Sequence, residues 1–150
     1  MTVSTVIIHI PVPATSGYIN VGDAMIFTSA LLFGPMIGGL AGGVGAAIGD
    51  VFLGYPVFAP YTLVIKGIEG FIAGYIKDGK SVTRDLVAWV VGSAVMVSGY
   101  FIVEAYVMGL GAVYAAVEFP FNIFQASFGG AISIPLSRVL RKSLPSILAS

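Results

Sequence analysis

The stretch MIGGLAGGVGAAIGDVFL, from Met36 to Leu53, is apolar apart from Asp50 and has small residues at four-residue spacing. Gly38 and Gly42 are one such pair. In lipid, small residues at this spacing allow two helix backbones to approach closely. The stretch therefore predicts a membrane helix in tight contact with a neighbour. We expect this contact to be internal; contact with another subunit is the alternative.

The composition of the whole chain agrees with a surface that faces lipid. Hydrophobic residues make up 57% of the 150 residues, charged residues 9%, and the mean hydropathy is +1.00. A soluble domain has roughly 25% charged residues, so this chain has too few polar groups to cover a surface in water. A spanning helix needs about 20 apolar residues. The sequence therefore predicts one all-α integral membrane domain over residues 1–150.

Clusters of proline, glycine and charge divide the chain into segments. Val3–Ile10 is apolar and rises only about 12 Å as a helix, so we expect it to be the outer end of a helix whose beginning lies in a longer upstream reading frame. A polar loop, 11–22, follows, and Asp23 is the expected N-cap of the next helix. The predicted fold is a six-transmembrane-helix bundle with a truncated first helix. The later helices are predicted at residues 23–33, 36–53, 61–76, 86–108 and 112–140.

The basic residues predict the orientation, because cytoplasmic loops have an excess of Lys and Arg. Six of the seven basic residues fall in the loop 77–85 or near the C-terminus. The loops 11–22, 54–60 and 109–111 contain none. We therefore expect a multi-pass protein of the cell membrane with both termini in the cytoplasm. Trp89, close to the basic loop, is the expected interfacial anchor.

Several classes of function are disfavoured by what the sequence lacks. There is no cysteine and only one histidine, His9, so no metal site is expected. The net charge is zero and no basic stripe suits nucleic acid. The glycines are not followed by GKS or GKT, so the chain has no phosphate loop of its own. Paired carboxylates could act as acid and base, but their separation is not defined, and we expect neither an enzyme nor a resident cofactor.

Polar residues within apolar helices are the candidate site. A charge at the membrane centre costs about 2.5–3.5 kcal/mol and usually faces the bundle interior. Glu118, Asn122 and Gln125 are spaced i, i+4 and i+7 and share one helix face. An acid and two amides side by side suit a polar heterocycle, and we expect Gly129 to leave this face open. The alternative is that the three residues join helices by hydrogen bonds.

Two further helices contain ionisable residues. Lys66 and Glu69 are i, i+3 neighbours, and they form either a self-neutralising pair or part of the same cavity. Tyr100 and Glu104 belong to a stripe at four-residue spacing, and the carboxyl group favours a cavity lining. Asp50, near the outer side, could cap a helix, pair with a charge or contact a ligand.

Three runs of the sequence resemble a known family. They read GYINVGDAMIFTSALLFGPMIGGLAGGVGAAIGD, GYPVFAPYTLVIKGIEGFIAGYI and EFPFNIFQ. They resemble the substrate-binding S component of energy-coupling factor (ECF) vitamin transporters, in particular the riboflavin-type and hydroxymethylpyrimidine-type group. The resemblance implies six transmembrane helices around an outward-facing pocket, with the loop after the first helix as its lid. The site residues that it implies are Tyr18, Asn20, Asp23, Lys66, Glu69, Glu118, Asn122 and Gln125.

The same resemblance implies a function in uptake. A water-soluble vitamin or precursor would be captured from outside, with riboflavin as the first expected ligand and the pyrimidine precursor of thiamine as the second. Uptake would need a T component and two ATP-binding subunits, and the S component would topple in the membrane to release its ligand. The segment MTVSTVIIHI lacks the Ala-xxx-Ala motif with which the family's first helix usually docks on the T component. The alternative is a non-transport scaffold whose polar residues only join helices.

Overall fold

The computed structural model describes residues 1–12, 15 and 18–143, and the structure is 81% helical. Three segments are long and apolar enough to cross a membrane: α3, α5 with its π-helical end, and α6. Helix α2 is apolar but shorter. In chain order the elements are α1 (Thr2–Ile7), β1 (His9–Pro11), β2 (Tyr18–Asn20), α2 (Gly22–Phe33), α3 (Pro35–Leu53), α4 (Ala59–Ile76), α5 (Val82–Ile102), a π-helix (Val103–Val107) and α6 (Ala112–Ser143).

The helix ends follow from local chemistry. Gly34 has φ 90°, a conformation that favours glycine, and Pro35 follows it in the first turn of α3. Gly54, in the left-handed region with φ 86°, ends α3. The Ser81 side chain accepts a hydrogen bond from the Arg84 N–H and caps α5. The predicted helices from residue 23 onward are confirmed to within four residues at each end, with α5 beginning four residues earlier than predicted.

The molecule is polar inside and apolar outside. All charged residues lie in the described part of the chain, and there six of the seven acidic residues are buried but only one basic residue, Lys66. Large apolar side chains point outward, as shown by Phe52, Tyr75 and Val113, which are 74%, 75% and 81% exposed. Soluble proteins bury few charged groups. The apolar exterior is therefore the surface that contacts lipid.

The glycine-rich helix α3 packs tightly on α4. A Cβ at Gly38 would lie 2.5 Å from the Gly70 carbonyl oxygen, and one at Gly43 would lie 2.7 Å from the Leu63 carbonyl oxygen. Only a residue without a side chain allows this approach. The predicted internal contact is confirmed, and it brings Asp50 of α3 beside the first turns of α4.

The start of the chain differs from the prediction. Helix α1 ends at Ile7, so the expected helix through Ile10 is wrong beyond that residue. Strands β1 and β2 pair antiparallel, with His9 opposite Asn20 and Pro11 opposite Tyr18, where only a polar loop was expected. Strands of three residues show too few alternations to be detected from sequence. The predicted loop residues 13, 14, 16 and 17 lie outside the described residues.

One expectation about the contacts of α6 is confirmed by nothing in the structure, and another is wrong. The indole N–H of Trp89 donates to the Ala126 carbonyl oxygen at 2.8 Å and joins α5 to α6, and its role as an interfacial anchor stays a prediction. A Cβ at Gly129 would lie 2.7 Å from the Asp23 Cβ. Gly129 therefore lets α2 approach α6 and does not leave the face open.

Candidate ligand-binding site

A cavity lies where the β1–β2 hairpin, the C-terminal end of α3, the first turns of α4 and the adjoining ends of α5 and α6 converge. The space between its atoms, with the open mouth included, is about 530 Å³. We call this part of the molecule the cavity end. Its lining residues are Met1, Tyr18, Asn20, Ala46, Asp50, Tyr55, Phe58, Thr62, Lys66, Tyr100, Glu104, Glu118, Asn122 and Gln125.

Eight of the ten residues predicted to form the site line this cavity. The eight come from the hairpin and from α4, α5, its π-helical end and α6, so the structure brings together residues up to 107 positions apart, from Tyr18 to Gln125. The two exceptions are Asp23 and Glu69, which lie behind the wall. Contact with a ligand stays a prediction for all ten residues.

Asp23 and Glu69 form the floor beneath the cavity by holding Lys66. The Lys66 ammonium donates to Asp23 Oδ1 and lies 3.1 Å from Glu69 Oε2. All three side chains are at least 96% buried, and Gln125 Nε2 donates to Asp23 Oδ2 at 3.2 Å. The expected N-cap role of Asp23 is therefore wrong, because Asp23 lies in the first turn of α2 and its carboxylate faces Lys66. Lys66 and Glu69 form the self-neutralising pair that was one alternative. Lys66, but not Glu69, also lines the cavity, which was the other alternative.

The β1–β2 hairpin covers the cavity through hydrogen bonds to two helices. The Tyr18 hydroxyl donates to Asp50 Oδ1 of α3, and the Asn20 N–H donates to Gln125 Oε1 of α6 at 2.9 Å. Burial raises the pKa of Tyr18, and the neighbouring Asp50 carboxylate raises it further. The phenol therefore stays protonated and remains a donor. Beside the hairpin, the Thr15 hydroxyl donates to Glu118 Oε1.

Aromatic rings form much of the remaining wall. The ring centroids of Tyr18 and Tyr55 are 4.9 Å apart at an interplanar angle of 31°, and Phe58 adds a further ring. The Tyr100 ring lies 5.8 Å from the Lys66 ammonium, and its hydroxyl exchanges a hydrogen bond with Thr62 at 2.9 Å. Flat apolar faces between hydrogen-bonding groups suit a planar heteroaromatic ligand.

Sequence reasoning missed several lining residues. Tyr55 and Phe58 lie in GYPVFAP, the connection between α3 and α4. The aromatic residues of this connection were the sequence signal that could have indicated a cavity wall. Thr62 follows in the first turn of α4, but a lone threonine gave no signal. Asp50 was left with three possible roles and lies on the wall.

Glu104 of the π-helix lies in the wall. The Met108 N–H donates to the Val103 carbonyl oxygen at 2.8 Å, five residues back. Tyr100 and Glu104 of the predicted stripe line the cavity, whereas Met96, four residues before Tyr100, is in the core, and Met108, four residues after Glu104, lies outside the lining. Single π-turns inside helices often occur at functional sites.

Fold and cavity together define a class of protein: a membrane protein with an internal polar and aromatic cavity for a small solute. In the described part of the chain, no group of three or more His, Cys, Asp or Glu residues is placed to hold a metal ion. The chain belongs to the S components of ECF-type riboflavin transporters, because the model of the family described as "ECF-type riboflavin transporter, S component" matches residues 1–142. This is a family of transporter subunits and not an enzyme class.

The chain is similar to two relatives, and the second supports this assignment. A protein of Pyrococcus woesei, described as "Uncharacterized protein in gap 3'region", is 46% identical over 149 residues, which cover 99% of each chain. The thiamine precursor transporter HmpT of Lactococcus lactis subsp. cremoris (strain MG1363) is 30% identical over 134 residues. That match covers 89% of this chain and 76% of HmpT. The chain is thus similar to a transporter of a vitamin precursor, and the resemblance inferred from the three sequence runs is confirmed.

Proposed function

We propose that this protein captures a water-soluble vitamin or vitamin precursor on the outer side of the cell membrane and delivers it inward together with a T component and two ATP-binding subunits. The observation that supports this most directly is the cavity. It combines aromatic rings with hydrogen-bonding side chains from α3, α4, α5 with its π-helix, and α6. No other cavity described in the structure has this combination. A pocket of this composition is typical of a small-molecule site.

The distribution of charge supports the outward orientation. Helix α4 begins at the cavity and ends next to Lys77, and α6 begins at the cavity and ends near Arg138 and Arg141. Six basic residues therefore lie at the end of the bundle opposite to the cavity, which we call the basic end. Because basic residues concentrate on the cytoplasmic side, we assign the cavity to the outer side. We further propose a six-helix bundle in which α1 is too short to span the membrane. The C-terminal end of α6 would lie inside, whereas Met1, which lines the cavity, would lie on the outer side, contrary to the expectation of both termini inside.

Two ligands are candidates. The description of the family favours riboflavin, which was also the first expectation from the sequence. The relative HmpT favours a thiamine precursor, the second expectation. Both contain a planar nitrogen heterocycle, which suits the aromatic rings that Tyr18, Tyr55 and Tyr100 contribute to the wall.

Ligand capture can be tested with the purified protein alone. We expect mass spectrometry of protein extracted from its native membranes to show a bound small aromatic molecule. Titration with riboflavin and with the pyrimidine precursor of thiamine, without ATP, should give saturable binding of at least one. Absence of any ligand in both experiments would contradict the proposal.

The scaffold alternative predicts a different result for the polar face of α6. We expect Asn122→Leu and Gln125→Leu to abolish ligand binding while the protein still elutes as a folded monodisperse species in detergent. Ser127→Leu is the matched control, because Ser127 is exposed on the same helix. Should both Asn122→Leu and Gln125→Leu unfold the protein while Ser127→Leu does not, the polar residues would be helix contacts and the scaffold function would be favoured.

A further inference from the structure

The wall of the cavity is more acidic than a neutral ligand requires. Three acidic side chains line it, those of Asp50, Glu104 and Glu118, together with a single basic side chain, that of Lys66. The Lys66 ammonium is already paired with two further carboxylates behind the wall, Asp23 and Glu69. The cavity therefore presents acidic acceptors, and its one basic side chain is not available to neutralise them.

Two of these acidic side chains have an oxygen atom without a hydrogen-bond partner among the described residues. They are Asp50 Oδ2 and Glu104 Oε2, and the side chains are 97% and 96% buried. Buried polar groups in proteins are nearly always hydrogen-bonded, and a buried carboxylate oxygen without a donor is costly. A ligand that brings hydrogen-bond donors would supply what both oxygens lack.

The surroundings make Glu104 the more open of the two carboxylates. The Asp50 carboxylate already accepts from Tyr18 and also has the Thr62 hydroxyl nearby. Glu104 lies in the π-helix and lines the cavity, where Glu118 is its electrostatic neighbour. A donor placed at Glu104 would also lessen the repulsion between these two acids.

We propose that the ligand is a nitrogen heterocycle with an amino group or a protonated ring nitrogen, held by Glu104 and Asp50. This inference rests on the proposed capture function and deepens it, since it favours an aminopyrimidine over a flavin. An aminopyrimidine directs an N–H₂ group, and when protonated a ring N–H, at the carboxylates. The flavin ring has a single N–H, between two carbonyl oxygens that would repel the acids, and the other donors of riboflavin are the hydroxyl groups of its flexible ribityl chain.

Matched probes test the choice of ligand. The wild-type protein is titrated in detergent with 4-amino-2-methylpyrimidine, with 2,4-dimethylpyrimidine, in which a methyl group replaces the amino group, and with riboflavin. We expect the amino probe to bind roughly ten- to hundredfold more tightly than the dimethyl analogue, the range for one charge-assisted hydrogen bond. If riboflavin binds and the amino probe does not, the inference is overturned while the capture function stands. If no probe and no co-purified molecule binds, the capture function fails.

Variants of the two acids test the contacts. Glu104→Gln and Asp50→Asn keep the shape of the side chain and remove its charge, and each should weaken binding of the amino probe roughly ten- to hundredfold. Asp78→Asn, in the exposed loop before α5, is the control and should bind like wild type. Thermal unfolding in detergent identifies variants that do not fold. Folded Glu104 and Asp50 variants with wild-type affinity for the amino probe would overturn the inference, and the probe series on the wild type decides the question if neither variant folds.

Discussion

The two ends of the bundle bury carboxylates in opposite ways. At the basic end, Asp85 is fully buried and its Oδ2 accepts from Arg138 Nη2 at 3.3 Å and from Arg141 Nη1 at 3.2 Å. Two cations thus surround one acid. At the cavity end, five acidic residues are buried with one basic side chain, Lys66, and only Asp23 and Glu69 pair with it.

This difference separates a structural cluster from a binding site. Arg141 also donates to the Leu31 carbonyl oxygen at the end of α2 and to the Gly79 carbonyl oxygen at 2.9 Å. Close by, Lys77 donates to the Leu32 carbonyl oxygen at 2.7 Å. Basic side chains there satisfy the free carbonyl groups at a helix C-terminus and join α2, α5 and α6. At the cavity end, acidic side chains without a basic partner line a cavity. This excess of hydrogen-bond acceptors distinguishes a binding site from a structural cluster, in which acids and bases are paired.

The largest expected effect comes from removing the one buried cation. Lys66→Gln would leave Asp23 and Glu69 as unpaired buried carboxylates, and breaking such a pair costs about 3–5 kcal/mol. We expect a large fall in thermal stability in detergent, or no folded protein. The fall in thermal stability can be measured by circular dichroism during heating, or by size-exclusion chromatography of heated samples.

A compensated variant controls for the loss of the side chain itself. The triple change Lys66→Gln, Asp23→Asn and Glu69→Gln removes all three charges and should recover most of the stability. A single Lys66→Gln variant as stable as wild type would show that the floor charges are not coupled, and the contrast between the two ends would then lose its energetic basis.

An intermediate effect is expected at the basic end. In Asp85→Asn the two arginines lose their counter-charge, but their side chains are 32% and 17% exposed and can reach water. We therefore expect a loss of roughly 1–2 kcal/mol in stability. Ligand affinity, measured by titration of the folded protein, should stay within about twofold of wild type. Losing even one hydrogen bond to the ligand would change the affinity by more than about twofold. A strong loss of affinity would mean that the two ends are coupled, contrary to the separation of a structural cluster from a site.

The sequence predicted the helical elements better than the details that complete the site. Spacing alone placed Glu118, Asn122 and Gln125 on one face, and the structure puts all three on the cavity wall. A polar side chain in an apolar membrane helix usually faces the interior of the bundle or a cavity, so its position can be predicted from the sequence. The floor was not predictable in this way, because Asp23 reaches Lys66 only through the packing of α2 against α4.

The hairpin and the π-helix could not be predicted for a different reason. Neither has a pattern of its own: three-residue strands are too short for a period, and a π-turn has the composition of the helix around it. Glu104 lies in the π-turn Val103–Val107 and was nevertheless predicted to line the cavity, from its four-residue spacing to Tyr100. Asp50, by contrast, needed the structure, since its partner Tyr18 lies 32 residues away in the chain.

The smallest effect, and the one that addresses the cavity end most finely, is expected from Tyr18→Phe. This change removes the hydroxyl donor to Asp50 and keeps the ring beside Tyr55, so the loss of stability should be about 1 kcal/mol. Because the hairpin covers the cavity, a weaker contact should make ligand association and dissociation both faster, with little change in Kd. Stopped-flow mixing measures the two rates, and Tyr75→Phe, on the lipid-facing surface, is the matched control. Unchanged rates in Tyr18→Phe would mean that the Tyr18–Asp50 hydrogen bond does not limit access to the cavity. The ligand would then enter and leave without movement of the hairpin, and the cavity end would be as rigid as the basic end.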